Sequence, residues 1–302
     1  MEQLRLNYKQ LFFYLMMKYK EDLDSKVKNS LSSRDYRHLE DLNELVKHSS
    51  EKKTYDNSCP IYFEIECSSI VKLSLVSCRL SSIPHIVFEF EKLKVLYLNK
   101  NGIKIISELI EKLIFLEVLS IADNKLGVFP ESITKLTSLK SLNLAHNNIV
   151  SMPSSVGNLI HLSHLALNDN HLGTLPDSIG GLKSLKTLYL KDNKLENLPE
   201  GFGSLKNLKE TSIRNNCLKT IPETIGNLKN LHYIDLANNS LEQLPDTIGG
   251  LESLRSFGLD GNKLKELPDS IADLRSLKTI QLKGNPLKSI PDALLKESIH
   301  IV

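Results

Sequence analysis

The sequence predicts an α/β solenoid: a curved horseshoe of equal coils, with a parallel sheet on its concave side and a helical cap at its N-terminal end. Three observations predict it. The chain of 302 residues repeats itself every 23 residues over roughly residues 68 to 294. Each repeat carries a short stretch with alternate residues apolar, the period of a strand with one face inward. Residues 1 to 56, by contrast, space their apolar side chains for helices.

The register is plainest in one Asn column: Asn101, Asn124, Asn147, Asn170, Asn193, Asn216, Asn239, Asn262 and Asn285. Cys78 stands one step before it, so there are ten repeats with no insertion. In Leu185-Lys-Thr-Leu-Tyr-Leu190, Leu188 and Leu190 point inward and Tyr189 outward. The Asn at the strand end has a short amide that can turn inward and bond backbone groups of its own and the adjacent coil. A Leu-Pro pair then ends the turn, because Pro fixes φ and donates no hydrogen bond. An Ile three residues later and a Leu six later return to the core. The residues left between Pro and the next strand are too few for a long helix and predict extended or 3₁₀ segments on the convex side. A single coil cannot bury its apolar side, so stacking makes the core.

The ends depart from the pattern, as terminal repeats do. Leu4, Tyr8, Leu11, Leu15, Tyr19 and Leu23 follow helical spacing, and Ser33 to His48 is a second helix with Leu39, Leu42, Leu45 and Val46 on one stripe. Together they form a cap, or a docking element for a partner. Tyr55 to Ser69 joins them to the array, and Ile61 to Glu66 predicts an edge strand ahead of it. The second repeat has Ser107 in place of Pro and a more apolar turn (Ile105, Ile106, Leu109), which predicts local irregularity at constant coil length. After Pro291, Glu297 and His300 occupy expected Leu positions, and Ser298 to Val302 is placed to close the edge. The organisation is therefore a helical cap over 1–56, an array over 57–294 and a short C-terminal cap over 295–302.

The L-x-x-L-x-L-x-x-N/C-x-L pattern resembles that of the leucine-rich-repeat family. The extension in Leu244-Pro-Asp-Thr-Ile-Gly-Gly-Leu251 looks like the intracellular Ras-group type. That resemblance implies a protein-interaction scaffold in intracellular signalling, with a small GTPase or a phosphatase as partner. The same fold also serves an alternative: a recognition module or secreted effector in defence or host interaction.

Composition narrows the function. The chain is 41% hydrophobic and 25% charged, with 38 basic and 36 acidic residues and a formal charge of +2. A balanced charge gives no case for nucleic acid. The Leu11 to Met17 run, followed by Lys18 and Lys20, is too short for a bilayer span and makes a poor signal-peptide core, which points to the cytoplasm. Cys59, Cys67, Cys78 and Cys217 lack C-x-x-C spacing, so neither a zinc site nor a redox motif is expected. Cys59-Pro60, Cys67 and Cys78 resemble only faintly the disulfide cap of extracellular leucine-rich-repeat proteins, since Cys78 has a place in the Asn column. Cys217 reads as a free thiol.

The candidate binding surface is the set of outward strand side chains. Tyr189, Lys191, Glu210, Arg214, Tyr233 and Asp235 come from three consecutive repeats on one face, with His164 and Tyr97 in the same columns. Tyr and Arg anchor protein interfaces because they combine area with a polar tip; a polar sheet face also carries such a mixture by chance. The column Asp123, His146, Asp169 and Asp192 offers metal ligands, but Asp before Asn is more simply a turn residue. His161-x-x-His164 on a strand edge need not converge on anything. The glycines of Ile179-Gly-Gly-Leu182 and Ile248-Gly-Gly-Leu251 recur in register and read as turn residues, not a phosphate loop. No catalytic pair, cofactor site or metal site is expected, and the chain reads as a non-enzymatic binding protein.

Overall fold

A computed structural model of the chain describes residues 28–50, 61–295 and 299–302. They fall into two compact units, Met1–Leu126 and Gly127–Val302. The first predicted helix (Leu4 to Leu23), Cys59, Glu297 and Ser298 lie outside the described residues.

In unit 1, helix α1 spans Ser33–Ser50. Strands β1 (Tyr62–Glu66) and β2 (Ser69–Ser74) form an antiparallel hairpin, and β3 (Val95–Tyr97) and β4 (Val118–Ser120) continue from β2 in parallel. The predicted edge strand is thus the first arm of a hairpin. Its two turn residues, Cys67 and Ser68, take φ of 48° and 61°. Two consecutive left-handed residues match the twist of the strands they join, as in a type I′ turn. Helix α1 buries Leu42, and the buried Asp35 accepts a 2.9 Å hydrogen bond from the Ile70 amide of β2. Arg34 bridges Glu89 and Glu91 at 3.1 and 2.8 Å, and Lys112 meets Glu89 from the next coil at 2.8 Å. The Lys112 hydrogen bond outweighs partial burial and, with Arg34, holds the Glu89 carboxyl below its ordinary range.

Two expectations for unit 1 are corrected. The Ser107 repeat is regular: its 3₁₀ turn, Glu108–Lys112, has the same length as its counterparts in the following coils. Ser107 has φ −64°, near the value Pro would impose, and its hydroxyl accepts the Leu109 amide at 3.3 Å. Cys78 does more than fill the Asn column. It is disulfide-bonded, whereas Cys67 and Cys217 are exposed free thiols.

Unit 2 holds β5 (Ser141–Asn143), β6 (His164–Ala166), β7 (Thr187–Tyr189), β8 (Glu210–Ser212), β9 (Tyr233–Asp235), β10 (Ser256–Gly258), β11 (Thr279–Gln281) and β12 (His300–Ile301). All are parallel and in register, so that Thr187, Glu210, Tyr233, Ser256 and Thr279 lie side by side. The C-terminal segment closes the edge as expected: His300 and Ile301 pair with Thr279 and Ile280, and Leu282 donates to the Val302 carbonyl at 2.9 Å.

The other side of each coil is a 3₁₀ turn beginning after Pro, from Glu131–Lys135 to Asp269–Asp273. The glycines there are turn residues, as expected, and none of those in the 3₁₀ turns takes a positive φ. A Cβ on Gly180, Gly203 or Gly226 would lie 2.4, 2.2 or 2.1 Å from a carbonyl oxygen of the next coil. Glycine is needed because backbones approach closely, not because of an unusual φ.

The Asn column behaves as predicted. Asn216 is buried, accepts the Leu195 amide at 2.9 Å and donates to the carbonyls of Leu190 and Ile213, each at 3.0 Å. Asn193 and Asn239 repeat this one coil to either side. The residue before each Asn has positive φ in every described coil: 54° at His146, 53° at Asp169, 55° at Asp192, 56° at Asn215, 54° at Asn238, 64° at Gly261 and 78° at Gly284 in unit 2, and 57° at Lys100 and 55° at Asp123 in unit 1. Asn, Asp, His and Gly are the types that enter this region most readily. That accounts for the Asp–His ladder without a metal, although His146 Nδ1 and Asp169 lie 3.6 Å apart. Among the described residues no cluster of three or more His, Cys, Asp or Glu could hold a metal ion.

Candidate binding face on the parallel sheet

Six of the eight predicted residues meet on adjacent strands of unit 2. Glu210 and Tyr233 are direct neighbours across β8 and β9, with Tyr189 and Asp235 at the ends of β7 and β9 on either side of Ser212. Lys191 and Arg214 follow two residues after β7 and β8. The strand register fixes the constellation: alternate residues of a short strand stay outward, and one coil to the next shifts them by about 4.8 Å.

The polar atoms are linked. The Tyr189 hydroxyl donates to Glu210 at 3.3 Å, and Arg214 lies 3.9 Å from the Asp235 carboxylate. Both phenols are shifted upward, chiefly by burial. Glu210 adds to the shift at Tyr189 and Asp235 to that at Tyr233. Lys191 pairs with Asp192 at 3.0 Å. Burial pushes the Asp192 carboxyl up, but the Asn215 amide at 2.6 Å and Lys191 outweigh it and hold the group below its ordinary range. Tyr233 is 37% exposed, so a large ring stands at the surface of the patch. His164, one strand further on, is hydrogen-bonded through Nδ1 to the Thr187 hydroxyl at 2.8 Å. Tyr97 belongs to unit 1, where the Lys72 ammonium lies 6.0 Å from its ring centre.

Sequence reasoning missed what some of these polar residues do. Beyond each strand the chain leaves the ladder, and one amide per coil needs a partner. Asn143 Oδ1 accepts the Ala145 amide at 3.0 Å, Asn168 Oδ1 that of Lys191 at 2.8 Å and Asp260 Oδ1 that of Lys283 at 2.9 Å. Asp235 belongs with them: only 7% exposed, it accepts the Ala237 amide at 3.0 Å. Its carboxylate is largely consumed by the fold, leaving Tyr189, Glu210, Arg214 and Tyr233 as the accessible tips. The amides of Asn168, Arg214 and Asp260, in alternate coils, have no hydrogen-bond partner within the described residues. The signal was present: where these amides stay uncapped, the two positions that could reach them hold Ala, Lys, Ser or Gly instead of Asn or Asp.

The arrangement offers two phenols, a carboxylate, a guanidinium and unpaired backbone donors on an open sheet. It presents no nucleophile–base pair and is suited to binding an extended chain.

Comparison with known proteins agrees with this architecture. Family profiles match as "Leucine-rich repeat region" over residues 154–229 and as "Leucine rich repeat" over 138–159, 213–264 and 229–287. No curated protein matches the sequence. Among solved structures, the leucine-rich-repeat ectodomain of the Arabidopsis thaliana membrane receptor kinase GASSHO1/SCHENGEN3, in complex with CASPARIAN STRIP INTEGRITY FACTOR 2, is 29% identical with a TM-score of 0.74. The plant peptide hormone receptor RGFR1, in complex with RGF2, is 30% identical with a TM-score of 0.66. The alignments cover 85% and 84% of this chain but only 34% and 40% of those chains. The fold and the profile matches agree with the Asn ladder and the 23-residue register, and the chain is a leucine-rich-repeat protein.

Proposed function

We propose that the chain is a recognition module that binds an extended peptide or a protein segment across β7, β8 and β9 of unit 2. The observation that carries this is the patch of Tyr189, Glu210, Arg214 and Tyr233 beside unpaired amides. It combines aromatic anchors with donors that an extended backbone satisfies. Two similar structures support it: the GASSHO1/SCHENGEN3 ectodomain in complex with CASPARIAN STRIP INTEGRITY FACTOR 2, and the plant peptide hormone receptor RGFR1 in complex with RGF2.

Two settings for such a module differ in compartment. An intracellular scaffold, with a small GTPase or a phosphatase as partner, follows from the Ras-group type of repeat and calls for a reduced chain. The disulfide at Cys78 favours the second setting, a recognition module in an oxidising compartment.

The test is a selection of displayed random peptides on the immobilised full chain, followed by affinity measurement with Tyr189→Ala/Tyr233→Ala. The proposal expects enriched peptides whose affinity falls at least about 30-fold in the double variant, since truncating an anchor costs about 2 kcal/mol or more. Enriched peptides that bind both proteins alike, with the fold intact by circular dichroism, would refute it.

A further inference from the structure

A near-neutral net charge hides a one-signed row in unit 2. The residue just before each strand is Lys186, Lys209, His232, Arg255 and Lys278 in five successive coils, with no acidic residue among them. Their backbones form one continuous ladder: Lys209 donates to Lys186 and His232 to Lys209 at 2.8 Å, and Arg255 to His232 and Lys278 to Arg255 at 2.9 Å. At about 4.8 Å per rung, the row runs for about 19 Å. Lys186, Lys209, Arg255 and Lys278 are exposed, and within the described residues none of the four makes an ion pair.

Some other charged side chains of these coils are engaged. Lys229 pairs with Glu252 and Lys219 with Glu196. The acidic residue opening the 3₁₀ turn, such as Asp177, Glu200 or Glu223, sits in the first turn, and Asp177 accepts the Gly201 amide at 2.6 Å. The pre-strand cations have no such structural use, and four like charges held in line repel one another unless an anion lies along them.

We propose that this row binds an acidic polysaccharide, a flexible chain with carboxylate or sulfate groups at short intervals. The row lacks what other polyanions would use. It has no Phe, Tyr or Trp on which bases could stack, which argues against single-stranded nucleic acid. It has no apolar side chain to enter a bilayer. Three of its four free charges are Lys, mobile point charges suited to irregularly placed anions rather than to bidentate recognition. The disulfide at Cys78 belongs to the oxidising compartments of secreted proteins.

The experiment measures binding of the full chain to size-graded heparin fragments, to an oligothymidylate of matched charge and to phosphatidylserine vesicles. Expected are heparin affinity that rises with fragment length until about 19 Å is spanned, and a plot of log Kd against log[NaCl] with slope near 3, for four cations released at roughly 0.7 each. The pair Lys209→Glu/Arg255→Glu should lose at least tenfold in affinity. The pair Lys194→Glu/Lys263→Glu, an equal charge change elsewhere on the coils, should lose less than threefold. Equal losses in the two pairs, or equal or tighter binding of the oligonucleotide or the vesicles, would overturn the proposal. Lys209 borders Glu210 and its carbonyl accepts the Tyr233 amide at 3.1 Å, so Tyr189→Ala/Tyr233→Ala is run beside the two pairs: heparin affinity kept in that double variant separates this result from the peptide selection.

Discussion

Replacing Asn216 by Ala tests the ladder that holds neighbouring coils together. The side chain accepts the Leu195 amide at 2.9 Å and gives its amide hydrogens to the carbonyls of Leu190, Ile213 and Arg214 at 3.0, 3.0 and 3.2 Å. The Leu190 carbonyl keeps a bond from Asn193 and the Ile213 carbonyl one from Asn239, so the group left orphaned is the Leu195 N–H. A buried unpaired N–H costs about 1–3 kcal/mol, and the two amide hydrogens lose net bonds worth about 1 kcal/mol each. The expected loss is about 4 kcal/mol, a large share of the stability of an ordinary domain. Urea unfolding followed by circular dichroism reads it as a lower midpoint. Asn207→Ala is the control: its exposed amide bonds the Lys183 carbonyl at 2.7 Å, and its loss should cost under about 1 kcal/mol. If Asn216→Ala cost no more than the control at unchanged m-value, the ladder would not be what holds these coils.

Other consequences are smaller. Gly203→Ala drives a Cβ against the Thr224 carbonyl at 2.2 Å and should cost about 2–3 kcal/mol, whereas Gly173→Ala, with nothing within 4 Å, should be neutral or stabilising by about 0.5 kcal/mol, both read by urea unfolding. Replacing Cys67-Ser68 by Asn-Gly relieves two left-handed residues and should stabilise unit 1 by about 1 kcal/mol, seen as slower exchange of β1 and β2 amides. Thiol titration of the denatured, unreduced chain should find two free thiols, Cys67 and Cys217; four would remove the argument for an oxidising compartment.

Much of this architecture was legible because the repeat is so regular. A 23-residue register over ten coils leaves strand, Asn and Pro in fixed places, and each column has a physical reason that can be read from one residue type. What escaped depends on distances between coils. The glycines after Ile are legible as turn residues, but not the neighbouring carbonyl that their Cβ positions would meet. Ser107 looks like a defect until its φ and hydroxyl stand in for proline. Asp235 looks like a free binding charge until an amide two residues on takes its oxygen. The left-handed column could have been found, since Asn, Asp and Gly share it. The disulfide at Cys78 had a signal in the faint resemblance to a disulfide cap, which the place of Cys78 in the Asn column outweighed. The tyrosine patch was legible as a list, and its electrostatic wiring was not.

The most direct test of the proposed recognition face is amide exchange by NMR, with and without a peptide selected on the chain. An extended peptide across β7 to β9 should slow exchange at the unpaired Arg214 amide, and at those of Asn168 and Asp260 where it reaches that far, with shifts at Tyr189 and Tyr233. Protection confined to the 3₁₀ side of the coils, with these amides and tyrosines unmoved, would contradict the account.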